Sequence, residues 1–165
     1  MSEHCEKLSP LIEQSENQTL GEYLKTLYPI YEQKIASTDL RFRGKPVCLF
    51  RELNHNLQQQ SFEHLTTKGN SDRLYNLKRC ERLVWIYDIL QGICDGCTDF
   101  RVFRDSKWRP RKSMRCVRYI IWCVKEDYVI ILEDRQDKVM LITAYCVLYA
   151  SKRKTLESMY QDSLK

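Results

Sequence analysis

Three histidines, His4, His55 and His64, carry the one side chain whose ordinary pKa lies near neutrality. His4 falls in a polar N-terminal stretch and His55 in the polar loop ELNHNLQQQ. His64, in SFEHLTT (61–67), sits between Phe62 and Leu65, apolar neighbours able to fix its backbone. It is the candidate for proton transfer, although a lone histidine in a loop is often no more than a surface residue. Arg79 and Arg82 are three apart on a predicted helix, which places them on one face. That spacing also fits a solvated basic flank. A guanidinium offers a fork of donors matched to phosphate oxygens. Thr143 and Tyr145 share one side of a predicted strand, and Arg118 shares a side with Ile120 and Trp122. Histidine, arginine, threonine and tyrosine on one open surface are what phosphodiester cleavage without a metal requires. A base takes the ribose 2′-OH proton, an acid protonates the leaving 5′-oxygen, and cations or hydroxyls stabilise the charged phosphorane.

Other chemistries lack their residues. The chain has no GxSxG, HExxH, P-loop or GxGxxG pattern, and no carboxylate pair in an apolar context. CDGC at Cys94–Cys97 is the one metal-like motif. A structural zinc takes four ligands, and no second C-x₂-C or H-x₃₋₅-H closes the site, so a reduced turn at a helix end is expected there. No metal and no cofactor are expected.

Charge is concentrated. Between Arg101 and Arg118 eight basic residues face Asp105 alone, a local balance of +7 in a chain whose net charge is +5. Lys107, Trp108, Arg109, Arg111, Lys112 and Arg115 form the candidate RNA-binding segment, read as a loop. Clusters of this kind suit polyphosphates, because each neutralised phosphate releases condensed counterions. A solvated loop that serves solubility is the alternative, against which Trp108 and Pro110 weigh.

The elements that must position these groups follow from periodicity. Residues 1–18 are polar and unpatterned, a flexible extension ahead of a single domain spanning 19–165. From Thr19, apolar residues at Leu20, Tyr23, Leu24, Leu27, Tyr28, Tyr31 and Ile35 make a helical stripe, with Thr19 and Glu22 as a capping box and Pro29 expected to kink or divide it. A Gly-Lys-Pro turn leads to a strand at 47–50. A long helix is predicted from a cap at Ser71 or Asp72 to Gly92, with Leu74, Leu77, Cys80, Val84 and Tyr87 as its stripe, widened by Leu83, Ile86 and Leu90. A strand at 100–103 is followed by the basic loop, and strands at 116–124, 128–132 and 139–148 are then joined by tight turns, an antiparallel meander. In the last of them Met140, Ile142, Ala144 and Cys146 are expected against a helix, with Leu141, Thr143 and Tyr145 opposite. SKRKTLESMYQDSLK forms a short helix over an edge or end of the sheet.

Helices followed by hairpin-linked strands predict an α+β fold: N-terminal helices on one face of an antiparallel sheet of about four strands, the other face partly open. Length fits one domain. With 43% hydrophobic and 30% charged residues the chain is neither collagen-like nor disordered. No stretch approaches the roughly 20 apolar residues that cross a bilayer, no secretory signal is present, and eight cysteines lie mostly within regular elements. A reducing cytoplasm is the expected compartment, with most thiols free.

GKPV (44–47), SFEHLTT, NLKRCERLVWIYDIL (76–90), RYIIWCVKEDYVIIL (118–132), MLITAYCV (140–147) and SKRKTL (151–156) together resemble, in order and spacing, the phage-associated branch of the barnase, EndoU, colicin and RelE-like ribonuclease superfamily. The resemblance covers about 70% of the chain. It implies helices followed by a four-stranded antiparallel sheet, and a metal-independent endoribonuclease of toxin type that acts on transfer RNA or other cellular RNA, with an antitoxin or immunity protein as a partner. By matching position it implies His64, Arg79, Arg82, Arg118, Thr143 and Tyr145 as site residues. Cys146 stands where the family often has Pro, and residues 1–40 have no counterpart in it. Two readings stand beside it: a non-catalytic RNA-binding module, and an interaction protein whose basic patch meets an acidic partner.

Overall fold

Thr19 opens the first helix as its spacing predicts. Its hydroxyl accepts from the Glu22 N–H, and the Glu22 carboxylate accepts from the Thr19 N–H. The computed structural model describes residues 6–69, 74–109 and 114–165, the side chains of residues 107–109 excepted. In it α1 runs from Leu20 to Tyr31. Tyr23, Leu27, Tyr31 and Ile35 are buried from it, each contributing about 1.5–3 kcal/mol by leaving water. Pro29 does not divide the helix. The winding loosens three residues later into a π turn, Glu32–Ala36.

β1 (Arg41–Phe42) and β2 (Lys45–Cys48) form a hairpin. Its two-residue turn is Arg43–Gly44, both at positive φ (50° and 83°), the twist that joins antiparallel strands and that glycine adopts freely. The expected turn lay one residue later and the strand two residues later. After α2 (Gln60–Thr66) come two short strands, β3 (Thr67–Lys68) and β4 (Leu74–Tyr75), then α3 (Leu77–Glu81) and α4 (Leu83–Leu90).

The long helix expected over this stretch is therefore two, broken at Arg82 (φ −106°, ψ 16°). Its cap is Asn76, whose side chain accepts from the Arg79 N–H. Ser71 and Asp72 lie outside the described residues. The break is tertiary in origin. Ile12 N–H donates to the Glu81 carbonyl (2.9 Å), engaging that acceptor outside the helix, while the Arg82 carbonyl accepts from the Trp85 N–H (3.0 Å) and also from the Tyr128 hydroxyl (3.4 Å). Burial follows this geometry: Leu83, Trp85, Ile86 and Ile89 are inside, while Leu74 and Leu77 are exposed.

The main sheet has six strands in the order β1-β2-β8-β7-β6-β5. β5 (Phe100–Arg109), β6 (Met114–Cys123), β7 (Tyr128–Asp134) and β8 (Val139–Cys146) are the expected antiparallel meander. The hairpin β1–β2 extends it beyond four strands, with β2 parallel to β8. It protects the edge that β8 would otherwise expose.

One face packs on α1, α4 and residues 8–12 around Ile121, Ile130 and Leu132. The other carries Phe103, Ile120, Trp122, Val129 and Ile131 against Leu156 of α5 (Ala150–Ser163). α5 thus covers part of the face expected to stay open. Nor is the N-terminal stretch a free extension over residues 8–12: Leu8 is buried, the Ser9 N–H donates to Asp88, and Trp85 Nε1–H donates to the Ser9 carbonyl.

Candidate active site

Three segments distant in sequence meet at the outer edge of β8, where β2 has ended and α2 packs alongside. Here the Arg79 guanidinium is anchored on backbone and side-chain oxygens. Its Nη1 donates to the carbonyls of His64 (3.1 Å) and Thr67 (2.6 Å) and to the Thr143 hydroxyl (3.2 Å). Thr143 in turn donates to the His64 carbonyl (3.2 Å). Fixing one nitrogen of the fork orients the rest of the planar group. The guanidinium carbon lies 5.9 Å from the centre of the Tyr145 ring, and Lys152 Nζ lies 5.5 Å from it.

Beside this network is a pocket of about 160 Å³ lined by Lys68, Asn76, Arg79, Tyr145, Cys146, Leu148, Tyr149 and Lys152. Lys68 and Lys152 make no ion pair among the described residues, and the Tyr145 hydroxyl makes no hydrogen bond among them. Burial raises the Tyr145 pKa, and the Arg79 charge offsets this only in part. The phenol therefore holds its proton at neutral pH and acts as a donor. Three cations and a phenolic donor around a small concavity have the chemistry that suits a phosphate-sized anion.

His64, Arg79, Thr143 and Tyr145 are thus neighbours. Thr143 and Tyr145 lie opposite Ala144 and Cys146 on β8, as alternation predicts, but the residues before them do not follow it. Leu132 faces Leu141 while Ile131 faces Thr143, so Ile142 is the extra residue of a bulge, which reverses the side-chain parity. Leu141 consequently joins Ala144 on the helix side, and Ile142 belongs with the other core. His64 is not in a loop but in the last turn of α2. It meets the network through its carbonyl, and its ring packs edge-on against Phe50, centroids 5.9 Å apart.

Arg82 and Arg118 are elsewhere. The break after α3 turns Arg82 off the face of Arg79. Its guanidinium lies over Trp85 at 5.1 Å and pairs with Glu81, and its buried Nε has no partner. Arg118 is two strands from Thr143, because β6 and β8 flank β7, and it is engaged by the buried Glu133 carboxylate (3.0 Å), which also takes Arg135 (2.7 Å). The expected single cleft holding Arg118 with His64, Thr143 and Tyr145 does not form.

No family model, curated protein or solved structure matches the chain.

The basic segment is not the loop expected of it. Residues 101–109 continue β5, and Met114 begins β6, so most of the run forms the arms of a hairpin. Arg115 is exposed on β6 and donates to the Ser106 carbonyl. Arg111 and Lys112 lie outside the described residues, as do the side chains of Lys107, Trp108 and Arg109. At the CDGC turn Lys7 donates to the Cys97 sulfur (3.4 Å). The Cys123 pKa is lowered to about 7, chiefly by a hydrogen bond from Cys94. The seven described cysteines are free thiols. Among the described residues no three His, Cys, Asp or Glu side chains gather to hold a metal, and no helix is long and apolar enough to cross a membrane.

Sequence reasoning missed Lys68, Asn76, Tyr149 and Lys152. The signal for Lys152 was present, since SKRK follows β8 almost directly and a strand that runs into a helix brings residue 152 back over residue 145. Lys68 carried no such signal. β3 places it.

Proposed function

We propose that the protein is a metal-independent endoribonuclease of the barnase, EndoU, colicin and RelE-like type, with RNA as substrate. The observation that carries this reading is the convergence of Arg79, Thr143 and Tyr145 with Lys68 and Lys152 on one phosphate-sized pocket, next to the helix turn that bears His64. In the proposed reaction the His64 imidazole takes the proton of a ribose 2′-OH and the 2′-oxygen attacks the adjacent phosphorus. The P–O5′ bond breaks, and the departing oxygen takes the phenolic proton of Tyr145. The products are a 2′,3′-cyclic phosphate and a 5′-hydroxyl. Exchange with water returns Tyr145 to the phenol and His64 to the free base. Arg79, Lys68 and Lys152 stabilise the charge that builds on the phosphorane.

One observation favours a second reading, RNA binding without turnover: the pocket is not lined by the His64 ring, which packs on Phe50. Incubating the protein with total RNA in EDTA separates the two. Fragments ending in 2′,3′-cyclic phosphate, formed about 10²- to 10⁴-fold more slowly by His64→Ala, support the enzyme. RNA retained without fragments supports the binding module. Cleavage by His64→Ala at the parent's rate removes His64 from the mechanism.

A further inference from the structure

At about 160 Å³ the pocket beside Tyr145 is smaller than the roughly 300–1,000 Å³ of cavities that enclose a whole small-molecule ligand. A phosphate group fits the concavity, whereas a whole nucleotide exceeds it. The base must lie on the rim.

That rim is unusual for this molecule. Leu148 and Tyr149, which line the pocket, are 48% and 67% exposed. The Tyr149 side chain makes no capping bond at the start of α5 and no ring contact with any described aromatic residue. Most tyrosines in the chain behave otherwise: Tyr23, Tyr31 and Tyr128 are buried, and Tyr160 packs on Phe103. An exposed aromatic ring lining the same pocket as three cations has the composition of a single-stranded nucleic-acid subsite, in which phosphate is held by charge and the base by stacking.

We infer that Tyr149 is the platform on which the base next to the pocket-bound phosphate stacks, and that the site therefore takes an unpaired nucleotide. In a duplex both faces of a base are covered by its neighbours, so stacking on Tyr149 requires a nucleotide from a single strand, loop or bulge. The inference deepens the ribonuclease reading by naming its substrate class, and it rests on that reading only for turnover. Stacking itself is read by binding.

The test uses the whole protein and an unstructured RNA decamer with 2′-O-methyl groups throughout, which block attack by the 2′-oxygen. Three ligands are compared: the decamer, the same decamer with abasic nucleotides, and the decamer annealed to its complement. The parent should bind the decamer most tightly. Tyr149→Ala should weaken that binding about 5- to 150-fold, the range that one stacked base contributes, and leave the abasic decamer unchanged. Tyr149→Trp should restore it. Equal weakening of the decamer and the abasic decamer by Tyr149→Ala, or no weakening of either, overturns the inference. So does tighter binding of the duplex. Failure of the ribonuclease reading looks different: unmethylated RNA stays intact while the effect of Tyr149 on binding persists.

Discussion

The two ends of β8 treat arginine in opposite ways. At one end the Arg79 nitrogen donates to two backbone carbonyls and the Thr143 hydroxyl, which orient the group beside the pocket. Near the other, Glu133, 1% exposed, lies between Arg118 and Arg135, and its carboxylate is spent on them. Both arginines looked equally suited to a phosphate in the sequence. The difference lies in where they are anchored: Arg79 on backbone carbonyls at the wall of a pocket, and Arg118 on a buried carboxylate that belongs to the scaffold.

The sharpest way to break this comparison is to remove Glu133. Glu133→Ala leaves two guanidinium groups facing each other across a desolvated site, and it should cost about 3–5 kcal/mol of unfolding free energy, read as a shift in the urea midpoint at constant slope. A loss under 1 kcal/mol would mean that Glu133 is not structural and that Arg118 is available after all.

Alkaline titration acts at lower amplitude and on other groups. Burial raises the pKa of Tyr23, Tyr31, Tyr128 and Tyr145 above the ordinary 10.0. Above pH 10 the unfolded chain releases phenolic protons that the folded chain retains, so the folded state is favoured less as pH rises. The tyrosine contribution should fall from pH 10 upward, after the raised thiols of Cys80 and Cys146 have begun to lower stability near pH 9. Tyr145→Phe should remove part of that fall. An identical alkaline slope in the variant would place Tyr145 in water rather than under Arg79.

The smallest expected change in stability is at the pocket's own cations. Lys68→Ala and Lys152→Ala remove exposed groups and should shift unfolding by less than about 0.5 kcal/mol. Each should nevertheless reduce the slope of log affinity for RNA against log salt by about one. Unchanged slopes in both variants would take the pocket out of phosphate binding.

How far the sequence reaches can be judged residue by residue. The cap at Thr19 and the stripe Tyr23, Leu27, Tyr31, Ile35 were legible because every partner lies within four residues. The meander was legible because alternation and short turns are local as well. Thr143 and Tyr145 were placed on the right side of β8, but only because the bulge at Ile142 leaves their own parity intact while it moves Leu141. Arg82 was misplaced since the Glu81 carbonyl before it is claimed by Ile12, 69 residues away. Lys68 and Tyr149 were invisible as pocket residues, for neither sits in a pattern of its own.

The sequence by itself determined the class of the fold, the first helix with its cap, the four-strand meander, and the types of side chain that could hold a phosphate. The tertiary structure decided which of them meet. The physical reason is range: capping, periodicity and turn preference act over a few residues, whereas the partner of a guanidinium or a helix carbonyl is whichever acceptor or donor the packed chain brings within about 3 Å. Arg79 and Arg118 are the same residue chemically, and only the packing gave one a ring of carbonyls and the other a buried carboxylate.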